Sequence, residues 1–182
     1  MFAFSTGLIV GRFQTFHRGH EEMIRCALDV CDTILLFIGS SQESGTQKNP
    51  FTYQMRHDVI AKVFKREICA KRLFIHPLPD AGLGNNTAWG EYVLRTAHEY
   101  GFNPQIMISG KETRRETWFN DDLFELFIPK TENISATMLR LAMLRDDREM
   151  WKRYVPQRTW DMYDQLRPLL IAAQENAETA SI

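Results

Sequence analysis

The stretch from Gly7 to His20, GLIVGRFQTFHRGH, constrains the fold more than any other part of the chain. The apolar run Leu8-Ile9-Val10 stops at Gly11, and two histidines three residues apart, His17 and His20, enclose Gly19. Beyond them Met23, Ile24, Ala27, Leu28 and Cys31 recur near i, i+3/i+4, which predicts a helix over 20–31. The histidines therefore fall in a strand-to-helix turn. A parallel α/β sheet presents its ligand at such turns, at the carboxyl end of a strand and the amino end of a helix. Glycine there lets backbone N–H groups approach a phosphate with no Cβ in the way.

The rest of the chain repeats this alternation. Strands are expected at 7–10, 33–38, 72–76, 105–109 and 124–128, with helices at 20–31, 53–66, 87–100 and from 136 onward. That order predicts an α/β fold with a doubly wound parallel sheet and a C-terminal helical extension. At 182 residues one domain is expected, with a core over about 6–145, helices over about 146–173 and a tail that frays after about 175. Acidic and basic residues nearly cancel, 23 against 22, so there is no global field to draw nucleic acid or an anionic membrane. No apolar run approaches the roughly 18 residues that would span a bilayer, and the first residues lack the basic start of a signal peptide. Cys26, Cys31 and Cys69 form no CxxC pair, and a reducing cytoplasm is expected.

Three further stretches end at the same rim of the predicted sheet. Strand 33–38 runs into Gly39-Ser40-Ser41-Gln42, followed by Asn49-Pro50-Phe51-Thr52 and Arg56, with Thr52 a plausible N-cap. Residues 76–89, HPLPDAGLGNNTAW, leave the third strand and enter a helix that carries Trp89. The fourth strand ends in Ser109-Gly110; Lys111, Arg114 and Arg115 follow, and Arg114 and Arg115 read as a solvated basic face. Near the C-terminal end of the core, Ile134-Ser135-Ala136-Thr137-Met138-Leu139-Arg140 places an N-capping serine where a helix start can face an anion. From Met150 to Ala173 aromatic and apolar residues recur at helical spacing, and Pro156 divides them into two helices.

The run Gly11-Arg12-Phe13-Gln14-Thr15-Phe16-His17-Arg18-Gly19-His20 resembles the HxGH signature of the nucleotidylyltransferase superfamily. In its longer form it resembles the nicotinamide mononucleotide (NMN) adenylyltransferases of archaeal type. The segments around Ser40, Asn49 to Arg56, and Ile134 to Arg140 are similar to that family's other motifs in order and spacing. Thr15 stands where the family pattern has proline, and Ala136 where it often has glycine.

The resemblance covers roughly residues 6–168 and implies a Rossmann-like nucleotidylyltransferase fold. It implies adenylyl transfer from ATP to NMN, giving NAD and pyrophosphate; Mg²⁺ is expected to be carried mainly by ATP, because no carboxylate cage of metal-ligand spacing appears in the sequence. It implies His17, His20 and Arg140 as the groups that stabilise charge. ATP contacts are implied for Gly11, Arg12, Phe13, Gly19, Ser40, Gly110, Ile134, Ser135 and Thr137. NMN contacts are implied for Arg56, Asp80, Asn86 and Trp89, although Asp80 lies six residues before Asn86, a wider gap than in the archaeal members. A Trp face suits a cationic pyridinium ring, and an amide suits its carboxamide. A homo-oligomer is expected. Two other readings stay open: another HxGH transferase acting on pantetheine phosphate, flavin or a cytidylyl acceptor, or a regulatory module that binds NAD or ATP without turnover.

Overall fold

The computed structural model describes residues 2–84, 87–110, 118–119, 123–129 and 134–179. The chain runs β1 (Phe4–Gly11), α1 (Arg18–Val30), β2 (Cys31–Gly39), α2 (Tyr53–Val63), α3 (Lys65–Cys69), β3 (Leu73–Leu78) and α4 (Thr87–Glu99). It continues through β4 (Ile106–Ser109), β5 (Phe124–Phe127), α5 (Ala136–Leu144), α6 (Arg148–Tyr154), a 3₁₀ helix (Gln157–Met162) and α7 (Tyr163–Thr179). The described strands form one sheet in the order β3-β2-β1-β4-β5, and each neighbouring pair is parallel.

This order fixes where a ligand can enter. The chain winds from β1 outward through β2 to β3, then returns to the other side of β1 for β4 and β5. Winding therefore reverses between β1 and β4, and the crevice outside the carboxyl ends of those strands is left open. The carboxyl ends of β1, β2 and β4 are Gly11, Gly39 and Ser109. All three stand on that rim.

Alternation along the strands builds a core on each face of the sheet. Ile9, Leu36 and Ile108 join one cluster with Ile24 of α1, Ile60 of α2, Leu139 of α5 and Leu166 of α7. Leu8, Leu35 and Met107 join a smaller cluster on the opposite face with Val93 and Ala97 of α4. Leu35, Leu36 and Ile9 are wholly buried, and each such side chain contributes roughly 1.5–3 kcal/mol of transfer free energy. A Cβ on Gly90 would lie 1.6 Å from the Trp118 carbonyl oxygen, so only glycine lets α4 lie this close to that backbone.

The structure refines two expected elements and places a proline inside the last helix. The helix expected over 53–66 is two helices, because Phe64 leaves helical geometry (φ −106°, ψ 28°) and is wholly buried against Phe16. The tail expected to fray after 175 stays helical to Thr179, with Gln174 bonded to both Glu178 and Gln47. Pro168 lies inside α7, a position where its missing N–H removes one helical bond but does not end the helix.

Candidate active site

The signature turn is held from two sides by arginines that donate to its backbone. The Arg56 guanidinium, only 1% exposed, donates to the carbonyls of Arg12 (3.0 Å), Gly39 (2.7 Å), Ser40 (3.0 Å) and Thr52 (3.1 Å). Arg140, from α5, donates to the carbonyl of Gln14 and to Thr137 Oγ1 (3.3 Å). The buried Gln14 side chain donates to the Phe51 carbonyl and accepts from the Phe51 N–H, both at 3.0 Å. The first turn is thereby joined to the Asn49–Thr52 loop and to α5. Buried carbonyls without partners each cost about 1–3 kcal/mol, and these donors supply those partners. Phe13, in the turn, has positive φ (52°), as does Ser40 (48°) at the end of β2.

His17 is the N-cap of α1, in extended backbone geometry (φ −146°, ψ 171°). Its Nδ1 accepts from the His20 N–H at 3.4 Å, which places the proton of a neutral ring on Nε2. The two imidazoles stack at 3.7 Å between centroids, and His20 also meets Phe13 edge-on at 5.0 Å and stacks on Phe16 at 5.6 Å. A Cβ on Gly19 would stand 3.2 Å from His17 Nδ1, so the glycine keeps room for the ring.

A cavity of about 310 Å³ opens between this turn, β4 and the start of α5. Gly11, Arg12, Phe13, His17, Gly19, His20, Gly110, Ile134, Ser135, Thr137 and Arg140 line it. Eleven of the residues implied by the resemblance thus come together around one space. Gln14, Glu22, Met23, Lys48, Ile108, Ser109, Ile128 and Pro129 also line it and were not in that set. Ser135 caps α5 by accepting from the Met138 N–H at 3.1 Å, and the first N–H groups of α5 stand at the cavity. Burial, and then the neighbouring Arg12 charge, lower the pKa of Arg140. The same two causes pull Arg56 down to about 10. Both remain cationic at neutral pH. Arg12 is the charge they share, and Arg12 and Arg140 both line the cavity, where two neighbouring cations suit an anion.

Four residues implied by the resemblance do not line this cavity. Arg56 was expected to face the acceptor's phosphate, but its donors are turned onto the backbone of the rim. Ser40 is buried, and its carbonyl receives both Arg56 and the Glu43 N–H. Asp80 is exposed and meets Gln42 through its own backbone, its N–H donating at 3.0 Å and its carbonyl accepting at 3.5 Å. Trp89 lies in an aromatic group with Trp118 (4.4 Å) and Phe119 (6.3 Å), on the smaller-core face. Asn86, Lys111, Arg114 and Arg115 lie outside the described residues. Gln14 was legible as part of the signature, but no local signal showed that its side chain would brace a loop 37 residues away.

Five parallel strands with opposed winding, and an HxGH turn at the crevice, define a nucleotidyltransferase of Rossmann-like fold. A family model described as Cytidylyltransferase-like matches residues 8–142, and the chain belongs to that family. The nicotinamide-nucleotide adenylyltransferase of Thermococcus kodakarensis is 30% identical over 155 residues, covering 83% of this chain and 78% of that protein. The nicotinamide-nucleotide adenylyltransferase of Saccharolobus solfataricus is 31% identical, covering 84% of this chain and 86% of that protein. Among solved structures, a bifunctional NMN adenylyltransferase/ADP ribose pyrophosphatase from Francisella tularensis, complexed with AMP and a Mn ion, shares the fold. Its TM-score is 0.74 at 19% identity, and this chain spans 54% of that protein's length.

Proposed function

We propose that this protein transfers the adenylyl group of ATP to NMN, forming NAD and releasing pyrophosphate. The observation that carries the reading is the convergence of Arg12, His17, His20, Arg140 and the α5 N-terminus on one cavity. The archaeal relatives, similar over most of their length, bear the same activity in their names. An oxygen of the NMN phosphate attacks the α-phosphorus of ATP as the bond from that phosphorus to the bridging oxygen of the β-phosphate breaks. The electron pair leaves with pyrophosphate. Both reactants are competent at these parts, so no side-chain nucleophile is needed. The protein aligns two anions that repel each other and stabilises charge on nonbridging and leaving oxygens. His17 Nε2, His20 and the Arg140 fork serve as donors and not as general bases.

Mg²⁺ enters with ATP as part of the substrate. Among the described residues no three metal-ligating side chains are grouped, and the triphosphate supplies the oxygen ligands this ion prefers. Ile108, Ile128, Pro129 and Met23 give the cavity an apolar side suited to the adenine, and Asp80, Asn86 and Trp89 would meet the nicotinamide end. Among the described residues no helix is long and apolar enough to cross a membrane, in keeping with work in the cytoplasm. Phe124 and Phe127, exposed on edge strand β5, are in keeping with a homo-oligomer.

The test is turnover. ATP, Mg²⁺ and NMN should yield NAD and pyrophosphate in equal amounts, and the reaction should run backward. Turnover only with CTP, or only with phosphopantetheine or a flavin phosphate as acceptor, would assign another branch of the family. Tight ATP or NAD binding without any turnover would assign a regulatory module.

A further inference from the structure

The C-terminal helices meet the signature turn at a second, much smaller space, which shares only Phe13 with the large cavity. Its volume is about 10 Å³, and Thr15 and Phe16 of the turn line it together with Trp151 of α6, Thr159 of the 3₁₀ helix and Leu166 of α7. Thr15 and Trp151 are each 2% exposed, and Thr159 is 1% exposed. Among the described residues neither Thr15 Oγ1 nor Trp151 Nε1 has a hydrogen-bond partner. Buried polar atoms are seldom left in that condition, because they give up water and gain nothing in return.

The groups around this space are held by their own elements. Asp147 caps α6 by accepting from the Met150 N–H at 3.0 Å, and the Trp151 indole packs edge-on against Tyr163 at 5.6 Å. The Tyr163 hydroxyl in turn donates to Asp146 at 2.9 Å. The Thr159 hydroxyl donates to the Pro156 carbonyl at 2.8 Å, which leaves its lone pairs to accept. An indole N–H can only donate, whereas a threonine hydroxyl donates and accepts. One water answers all three groups. Its oxygen accepts from Trp151 Nε1 and from Thr15 Oγ1, and one of its protons goes to Thr159 Oγ1. A buried water needs roughly 10–15 Å³ and two to four polar partners, and the space and the partners match that need.

We infer that one buried water joins Thr15 to Trp151 and Thr159, and that Thr15 and Trp151 are positioning residues for the donors of the signature turn, a role that rests on the adenylyl-transfer reading. Thr15 stands between Gln14, whose carbonyl accepts from Arg140, and the N-cap His17. Arg56 and Arg140 hold carbonyls of the turn from α2 and α5. The water holds its Thr15 side chain from α6 and the 3₁₀ helix. The proline that the family pattern has at this place carries no hydroxyl, so the tether is a feature of this chain and not of the pattern. A misplacement of about 1 Å can cost about 10²-fold in rate. Loss of the tether is therefore read in kcat more than in substrate binding.

The experiment is a double-mutant cycle on kcat with Thr15→Val, Trp151→Phe and the double variant, beside Thr15→Ser and a high-resolution crystal structure of the wild type. Each single variant should lose about tenfold in kcat, less than a full 1 Å misplacement costs, with little change in the KM for ATP or NMN. The double variant should be no slower than the slower single, since either change breaks the same link. Thr15→Ser keeps the hydroxyl and should keep most of the rate. Diffraction should show one water within hydrogen-bond reach of Thr15 Oγ1 and Trp151 Nε1. A dry space, a wild-type kcat in either single variant, or losses that multiply in the double variant would overturn the inference. So would a lowered melting temperature with kcat unchanged, which makes both residues packing groups alone. Should Thr15→Val fail to fold, Trp151→Phe and the diffraction decide. If wild type turns over an acceptor other than NMN, the reading of the acceptor fails and the same cycle is run with that acceptor. If wild type turns over none, the adenylyl-transfer reading fails and the positioning role with it, while the diffraction still decides the water.

Discussion

The turn from Gly11 to His20 and the turn from Pro79 to Gly84 leave the same rim of the sheet, and they are built differently. In the first, Phe13, Gln14, Thr15, Phe16 and His17 are all buried, and the carbonyls of Arg12 and Gln14 are held by Arg56 and Arg140. In the second, every residue from Pro79 to Gly84 is exposed. Its described tethers are the Gln42–Asp80 pair and the Tyr92 hydroxyl donating to the Pro79 carbonyl at 2.9 Å. The half of the rim assigned to phosphate chemistry is preformed, because charge stabilisation works best when donors need no reorganisation. The half assigned to the acceptor is lightly held, as expected of a segment that adjusts to the molecule it selects.

Arg56→Ala should separate these halves most strongly. If Arg56 is a clamp on the preformed turn, its loss leaves several buried carbonyls without donors. Urea unfolding should then show a stability loss of about 3–5 kcal/mol. Were it a phosphate ligand, stability would hold and only a substrate KM would rise.

A smaller effect comes from Cys31, at the amino end of β2 and away from the rim. Burial pushes its thiol up to about 11, with Arg72 pulling it partly back. Below about pH 9 the thiol is protonated in both states and stability does not depend on it. Between about pH 9 and 11 the unfolded chain loses the proton while the folded chain keeps it. Stability therefore falls as pH rises through that window, by up to about 2–3 kcal/mol. Unfolding of wild type and Cys31→Ala at stepped pH should show the extra slope only in wild type, with the same ATP affinity in both proteins at neutral pH.

The smallest effect is at the acceptor half. Trp89→Ala should raise the KM for NMN about tenfold, the loss of a contact worth roughly 1–2 kcal/mol, and leave ATP binding unchanged. A lowered melting temperature with an unaltered KM would make Trp89 a packing partner of Trp118 alone.

The parts legible in the sequence are those encoded by local periodicity and short motifs. Leu8-Ile9-Val10 followed by Gly11, and the helix positions from Met23 to Leu28, sufficed to place the histidines at a strand-to-helix turn. Small-residue strand ends sufficed to put Gly39 and Ser109 on one rim. The destination of long side chains was not legible. Arg56 was implied as a phosphate contact by the family resemblance alone, and nothing in the sequence showed where its guanidinium would turn. The structure turns the arginine onto the backbone because three carbonyls at the rim, those of Arg12, Gly39 and Ser40, converge on it. That convergence arises only when β1 and β2 pair. The break at Phe64 was hidden for a similar reason, since burial against Phe16 on another element ends the helix there.

Charge stabilisation by preformed donors is tested most directly by the kinetics of His20→Ala and Arg140→Ala, measured against ATP affinity. His20 and Arg140 both line the cavity proposed for the donor nucleotide, where the glycine turn and the α5 N-terminus would also meet ground-state phosphates. Each substitution should cut kcat by roughly 10²–10³ while ATP affinity changes less, because the lost donor acts mainly on charge that develops in the transition state. Arg140→Lys should not restore the rate, since an ammonium cannot hold the Gln14 carbonyl and a phosphate with one planar fork. A kcat within about threefold of wild type for both alanine variants, folded and binding ATP, would contradict the account, being far short of the loss expected for a charge-stabilising donor.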